Sequence, residues 1–163
     1  MTRPSALATF VAKTEKLPKA VQKLALTLMM RNGVKMVGTS KIDVLELTHT
    51  RVHLRIQNRR IVQNHIGGVH AAAMALLAET ATGFVASMNI PGDRLPLLKH
   101  MDVKYIKRAK GALEAIATLD ADAITILTNE PKGELLVPVV VTDEDGQNPI
   151  EAKMTWAWIP KKK

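Results

Sequence analysis

The sequence predicts an α+β fold in which one strongly bent antiparallel sheet wraps one long helix. Two observations carry this expectation. Residues Val69 to Met88 are almost continuously apolar and rich in alanine, and a helix that is apolar all round has to be buried on most sides. On either side of it lie segments in which apolar and polar residues alternate, the period of a strand with one wet face. One helix that must be covered and a set of strands that must cover something are satisfied together when the sheet curls around the helix. The 163 residues suit a single domain, with residues 1–33 as an N-terminal helical extension and 158–163 as a basic tail.

The elements follow in chain order. Pro18 stands where a first helical turn starts, Val21, Leu24, Ala25 and Leu28 recur at helical spacing, and Asn32-Gly33 is a stop signal, so a helix is expected from about Leu17 to Arg31. Ile42, Val44 and Leu47 predict a strand. Val52, Leu54 and Ile56 alternate with Arg51, His53, Arg55 and Gln57 in a second, with a turn at His49-Thr50. The long helix comes next, about 30 Å for twenty residues, and Asn89, Pro91 and Gly92 end it. Strands then dominate. Met101, Val103, Tyr105 and Ile106 lead to a turn at Ala109 to Gly111, and Leu113, Ala115, Ala117 and Leu119 alternate on the return. Asp120 can cap a short helix through Leu127, although Ile124, Thr125 and Ile126 also suit a strand. Leu135 to Thr142 reads as one strand, Asp143 to Gly146 as a hairpin turn and Ile150 to Ile159 as the last strand, about four antiparallel strands after the helix.

Composition narrows the function classes. There is no cysteine, which excludes disulfides, thiol catalysis and thiolate metal sites. His49, His53, His65 and His100 do not fall into metal-ligand spacing with a carboxylate pair, so no metal site is expected. Neither a signal-peptide pattern nor a spanning run of the usual length stands out, and a cytoplasmic setting without membrane insertion is expected. The formal net charge is +8, concentrated in residues 1–63 with 12 basic against 3 acidic groups. Such a field attracts polyanions or phosphorylated small molecules. Aromatics are 3% of the chain, too few for base stacking, and no nucleic-acid-binding motif appears, so no nucleic-acid partner is expected.

Glu79 is the anomaly in the apolar helix, its one charged residue. A charge on a buried element is costly unless it is paired, hydrogen-bonded or neutralised. His70 stands in the first turn of the same helix beside Gly67-Gly68, and Asn64 lies six residues earlier. A helix start presents free N–H groups and a positive dipole end, which can polarise a carbonyl oxygen as an oxyanion hole does. Nine residues of helix rise about 13 Å, so one protomer does not easily bring His70 and Glu79 onto one small group. A symmetric dimer can, with Glu79 of one chain facing the helix start of the other.

This stretch, Asn64-His65-Ile66-Gly67-Gly68-Val69-His70-Ala71-Ala72 followed by Glu79, resembles the hotdog-fold thioesterase superfamily, in particular its acyl-CoA thioesterase branch of the phenylacetate-pathway type. That branch reads Asn, then His-Gly-Gly starting six residues later, then a carboxylate nine residues after the His. The segment from Val103 to Gly111 resembles the strand and turn that follow. The resemblance implies a hotdog fold from about Thr39 to Ile159, a homodimer or dimer of dimers, and hydrolysis of a small-molecule acyl thioester. No cofactor is implied; coenzyme A thioester is the substrate. It implies that the Ala71 N–H binds the thioester oxygen, that Glu79 acts as general base or nucleophile, that Asn64 positions the water or the carboxylate, and that His70 orients the loop. Gly67 and Gly68 would border the substrate. Arg60, Lys107 and Arg108 would hold its phosphates, with Arg60 and Arg108 the preferred pair. The pattern is departed from in two ways: Ala71-Ala72 replaces Gly-Gly, and Gly83 and Leu98 stand where the family often has a hydroxyl.

Each residue also has a structural alternative. Glu79 competes with a hydrogen-bonded core carboxylate, Asn64 with a turn residue and His70 with a satisfied core histidine. At the level of function, the alternatives are a non-catalytic acyl-CoA-binding module on the same fold and a basic nucleic-acid-associated protein.

Overall fold

The computed structural model describes residues 3–162. Met1, Thr2 and the last residue of the basic tail, Lys163, lie outside them. The chain runs α1 (Ala6–Thr14), α2 (Lys19–Gly33), α3 (Lys35–Thr39), β1 (Asp43–Leu47), β2 (Arg51–Ile56), α4 (Ala71–Asn89), β3 (Arg94–Tyr105), β4 (Leu113–Thr118), α5 (Ala121–Asn129), β5 (Gly133–Val137), β6 (Val139–Asp143) and β7 (Ile150–Pro160). All strand pairs are antiparallel, in the orders β1-β2-β4-β6 and β3-β7-β5. The antiparallel strands wrap α4 as expected, but as a four-stranded and a three-stranded sheet rather than as one continuous bent sheet. α4 is long and apolar enough to cross a membrane by length and composition, but two thirds of that stretch is buried inside the fold.

Proline decides how the sheet turns. The run expected as one strand from Leu135 to Thr142 is two strands that meet at Pro138, so five strands follow α4 rather than four. Proline has no N–H for the ladder. Pairing therefore switches there: β5 lies along β7, and β6 along β4. The break is where the chain passes from the three-stranded sheet to the four-stranded one. The segment left open between helix and strand is helix α5, capped by Asp120, whose Oδ1 accepts from the Ala123 N–H at 2.8 Å.

Three expectations are corrected at the termini. Helix α1 was not foreseen; Ser5 caps it, accepting from the Ala8 N–H at 3.0 Å, and Ala8 and Val11 anchor it on the core. In α2 the apolar residues at helical spacing face solvent: Val21, Leu24 and Leu28 are exposed, while Leu26, Thr27 and Met30 are buried. Thr27 accounts for the choice, because its hydroxyl accepts the Val44 N–H of β1 at 2.9 Å and turns that side of the helix inward. The tail expected from residue 158 starts later. Trp158 is fully buried in β7, its indole donating to the Glu130 carbonyl at 2.7 Å.

Arg94, at the start of β3, is buried and donates from Nη1 to the carbonyls of Leu127, Thr128 and Glu130. These are carbonyls at the end of α5, which lack intrahelical partners and carry the negative end of the helix dipole. Arg94→Ala is expected to destabilise the protein by about 2–3 kcal/mol, the scale of a lost hydrogen bond to a charged group. Urea unfolding of the two proteins measures the difference.

Candidate active site on the central helix

The residues before α4 form a tight loop closed by main-chain bonds: Asn64 N to Gly68 O at 2.8 Å, Gly67 N to Asn64 O at 3.1 Å, and His70 N to Val62 O at 2.7 Å. Asn64 holds it from inside, its Oδ1 accepting the N–H groups of Ile66 and Gly68, each at 3.1 Å. Gly67 has φ +76, a left-handed conformation in which a β-carbon is strained. From outside, Asn58 Nδ2 donates to Gly67 O at 3.0 Å and Arg108 donates to Ile66 O at 3.1 Å. Asn64→Ala is therefore expected to loosen this loop by about 1–2 kcal/mol, two modest hydrogen bonds. Amide exchange at Gly68 should then accelerate about tenfold in that variant, with the β7 amides unchanged.

His70 is the N-cap of α4. Its Nδ1 accepts the Ala72 N–H at 3.0 Å, which places the ring proton of the neutral imidazole on Nε2. The His70 carbonyl takes Ala73 and Met74. Among the described residues no acceptor meets the Ala71 N–H, and Ala71 and Ala72 are exposed. The helix start thus offers one unused donor to an incoming oxygen. Tyr105, which the motif did not single out, secures it: its hydroxyl donates to the Ala71 carbonyl at 2.9 Å.

Glu79 is half-buried on the same helix. Burial raises its pKa above the ordinary carboxylate value, and a hydrogen bond from the Thr80 hydroxyl, at 3.4 Å, opposes the rise; among the described residues no cation takes part. Thr80 gives that carboxylate only a share of its proton, since it donates at 2.6 Å to the Leu76 carbonyl. Glu79 opens onto a pocket of about 460 Å³. Leu7 and Phe10 of α1, Met29 of α2 and Phe84 of α4 form much of its wall, with Trp156 as a further side.

The structure thus gathers Asn64, Gly67, Gly68, His70, Ala71 and Arg108 at the helix start, and leaves Glu79 apart. Eight residues of helix separate Ala71 from Glu79, about 12 Å of rise. Two of the basic residues do not join the cluster by contact: Lys107 donates instead to Gln147 Oε1 at 2.7 Å, and Arg60 is exposed in the 3-10 turn Arg60–Val62. Among the described residues no three His, Asp or Glu side chains are grouped to hold a metal.

Gly83, one turn after Glu79, has a structural cause. A β-carbon there would stand 2.5 Å from Cζ2 and 2.7 Å from Cη2 of Trp156. That indole is held in place by its own bond, Nε1 donating to Thr82 Oγ1 at 2.9 Å. The bulk at this position is supplied by Trp156 from β7, which excludes a hydroxyl-bearing side chain from the helix.

The family model for a domain of unknown function, DUF4442, matches residues 22–159. A comparison with curated proteins gives no match. Among solved structures, a protein of unknown function from Pseudomonas aeruginosa, described as a probable thioesterase, is 25% identical, with a TM-score of 0.74 over 89% of this chain and 97% of that one. A thioesterase from Haemophilus influenzae is 13% identical, with a TM-score of 0.69 over 85% and 90% of the two chains. A mutant of a thioesterase from Staphylococcus aureus is 19% identical, with a TM-score of 0.66 over 78% and 100%. The last two likenesses concern the fold alone.

Proposed function

The chain belongs to the DUF4442 family and has the hotdog fold of thioesterase-type proteins, and from that premise we propose that it hydrolyses acyl-CoA thioesters. The observation that carries the reading is Glu79: a half-buried carboxylate with no cation beside it, facing an apolar pocket on the central helix. A raised pKa suits a general base, because it strengthens the carboxylate as a proton acceptor near neutral pH. On the same reading the spacing of Asn64, His70 and Glu79 aligns the chain with the phenylacetate-pathway type.

In the reaction so proposed, the thioester oxygen accepts a hydrogen bond from the Ala71 N–H at the positive end of α4. Glu79 takes a proton from water, the water oxygen attacks the carbonyl carbon, and the tetrahedral intermediate expels the thiolate, to which Glu79 returns the proton. The thiolate leaves as free coenzyme A once it is protonated, and the acyl group leaves as a carboxylic acid. Asn64 holds the loop that borders the thioester, and His70 caps the helix so that the Ala71 N–H points outward. Arg60 and Arg108 take the phosphates of coenzyme A. The indoles of Trp156 and Trp158 are buried, so the basic surface has no exposed tryptophan on which bases can stack.

The same proposal makes the working unit a dimer. The α4 face with Ala71, Ala72 and Glu79 is at least partly open to solvent. β3 is a twelve-residue edge strand with Leu95, Leu97, Met101 and Tyr105 exposed. Two chains related by a two-fold axis bring the helix start of one to Glu79 of the other and cover both surfaces. Light scattering should return at least twice the 17.8 kDa chain mass.

Free-thiol release from short, long and aromatic acyl-CoA esters tests the activity. Turnover supports the enzyme. Acyl-CoA that raises the melting temperature but stays intact would replace it with the binding-module reading.

A further inference from the structure

We infer that the pocket beside Glu79 is an acyl-chain site built by the N-terminal helix, and that it selects an aliphatic chain of medium length. The inference rests on the thioesterase reading and names the substrate class of that same site. The pocket's polar groups are few: Glu79 and Thr80 at one end, and Ser87 two turns further along α4. Eight residues of helix give about 12 Å between those ends. Between them the wall is apolar. An apolar lining of this kind favours hydrocarbon over water.

Its size sets the chain length. The apolar stretch between Glu79 and Ser87 runs about 12 Å along α4, the reach of an aliphatic chain of medium length, within a cavity of about 460 Å³. Phe10 and Ser87 stand where this cavity meets its neighbour. Both also line the adjoining pocket, which carries Arg3 and Lys13, so a longer chain would run from hydrocarbon into a cationic cleft.

Helix α1 makes this a pocket rather than a wet groove. Ala8 and Val11 bury one side of α1 in the core, and Leu7 and Phe10 then turn toward α4. Without α1 the Glu79 face would lose one of its walls. The helix that covers the acyl chain is thus one of the walls of the pocket onto which Glu79 opens.

The test is the chain-length profile. In the wild type, kcat/KM for saturated acyl-CoA esters from two to sixteen carbons should rise by up to about fourfold per methylene, the worth of its burial. The rise should stop near ten carbons. Ser87→Phe fills the far end and should move the maximum to shorter chains; Phe10→Ala enlarges the pocket from the α1 side and should move it to longer ones. A second arm does not need turnover. In the Glu79→Gln background, calorimetry should show Ser87→Phe weakening decanoyl-CoA at least tenfold more than acetyl-CoA. A flat length profile that neither variant moves, or equal losses for the two esters, overturns the inference while leaving hydrolysis intact. If the wild type cleaves no ester, the hydrolysis reading fails and the calorimetry alone decides the pocket.

Discussion

Glu79→Gln is expected to lower thioester turnover by roughly 10²- to 10⁴-fold, the range that a positioned general base supplies. Glutamine keeps the size of the side chain and its place in the pocket, so acyl-CoA binding should survive. What it removes is the proton acceptor. Free-thiol release by wild type and variant measures the loss; equal rates would make Glu79 a structural residue and move the chemistry elsewhere.

The same carboxylate sets a pH dependence whose sign follows from its surroundings. Burial raises the Glu79 pKa in the folded protein, against the Thr80 hydrogen bond. Below the ordinary value of 4.5 the group is protonated whether the chain is folded or not. As pH rises from there through the raised folded pKa, the unfolded state releases its proton first and stability is lost. Activity runs the other way, because the base is absent until Glu79 ionises. The turnover profile should therefore rise on a limb above 4.5, in the pH interval where the wild type loses stability relative to Glu79→Gln. Melting temperatures of the two proteins across that interval check the sign: the variant should be the more stable at neutral pH, and the gap should close in acid.

Gly83→Ala should cost about 1–3 kcal/mol, the range for overpacking a well-filled core, or a melting temperature lower by several degrees for a chain of this size. In an unpacked helix the change would go the other way, since alanine is the better helix former by about 1 kcal/mol. Here the new methyl meets the six-membered ring of Trp156, which Thr82 holds by hydrogen bond. The indole cannot swing aside without breaking that bond, and α4 cannot shift without disturbing the strands around it. Trp156→Phe removes the atoms in the way and should recover most of the loss when combined with Gly83→Ala. A Gly83→Ala protein as stable as wild type would show that Trp156 has room to move.

The elements that local pattern sets are the ones legible from residues alone. α4 could be read because nineteen nearly uncharged residues cannot be left in water, and β2 because its alternation admits one register. The candidate site was legible where its parts are adjacent in sequence: Asn64, Gly67, Gly68, His70 and Ala71 sit on one loop and the helix it starts, so local hydrogen bonds suffice to place them. Helix α1 was legible in principle, with Ser5 as a cap and Leu7, Phe10 and Val11 at helical spacing, but short helices carry weak signals.

The rest required the folded chain. The α2 stripe of Val21, Leu24 and Leu28 has the period of a core face and yet faces solvent, because periodicity marks an apolar side without saying which neighbour meets it. Pro138 splits what reads as one strand, and only the sheet shows that its two halves pair with different partners. Tyr105, 34 residues beyond Ala71, and Trp156, 73 beyond Gly83, touch the central helix through the strands that carry them. The sequence by itself determined a buried helix and the one carboxylate within it, since these follow from hydrophobicity, while the cap role of His70 came from the folded loop. The tertiary structure decided what surrounds that carboxylate, because the pocket wall comes from α1, α2 and β7, and contacts between distant segments leave no trace in local pattern.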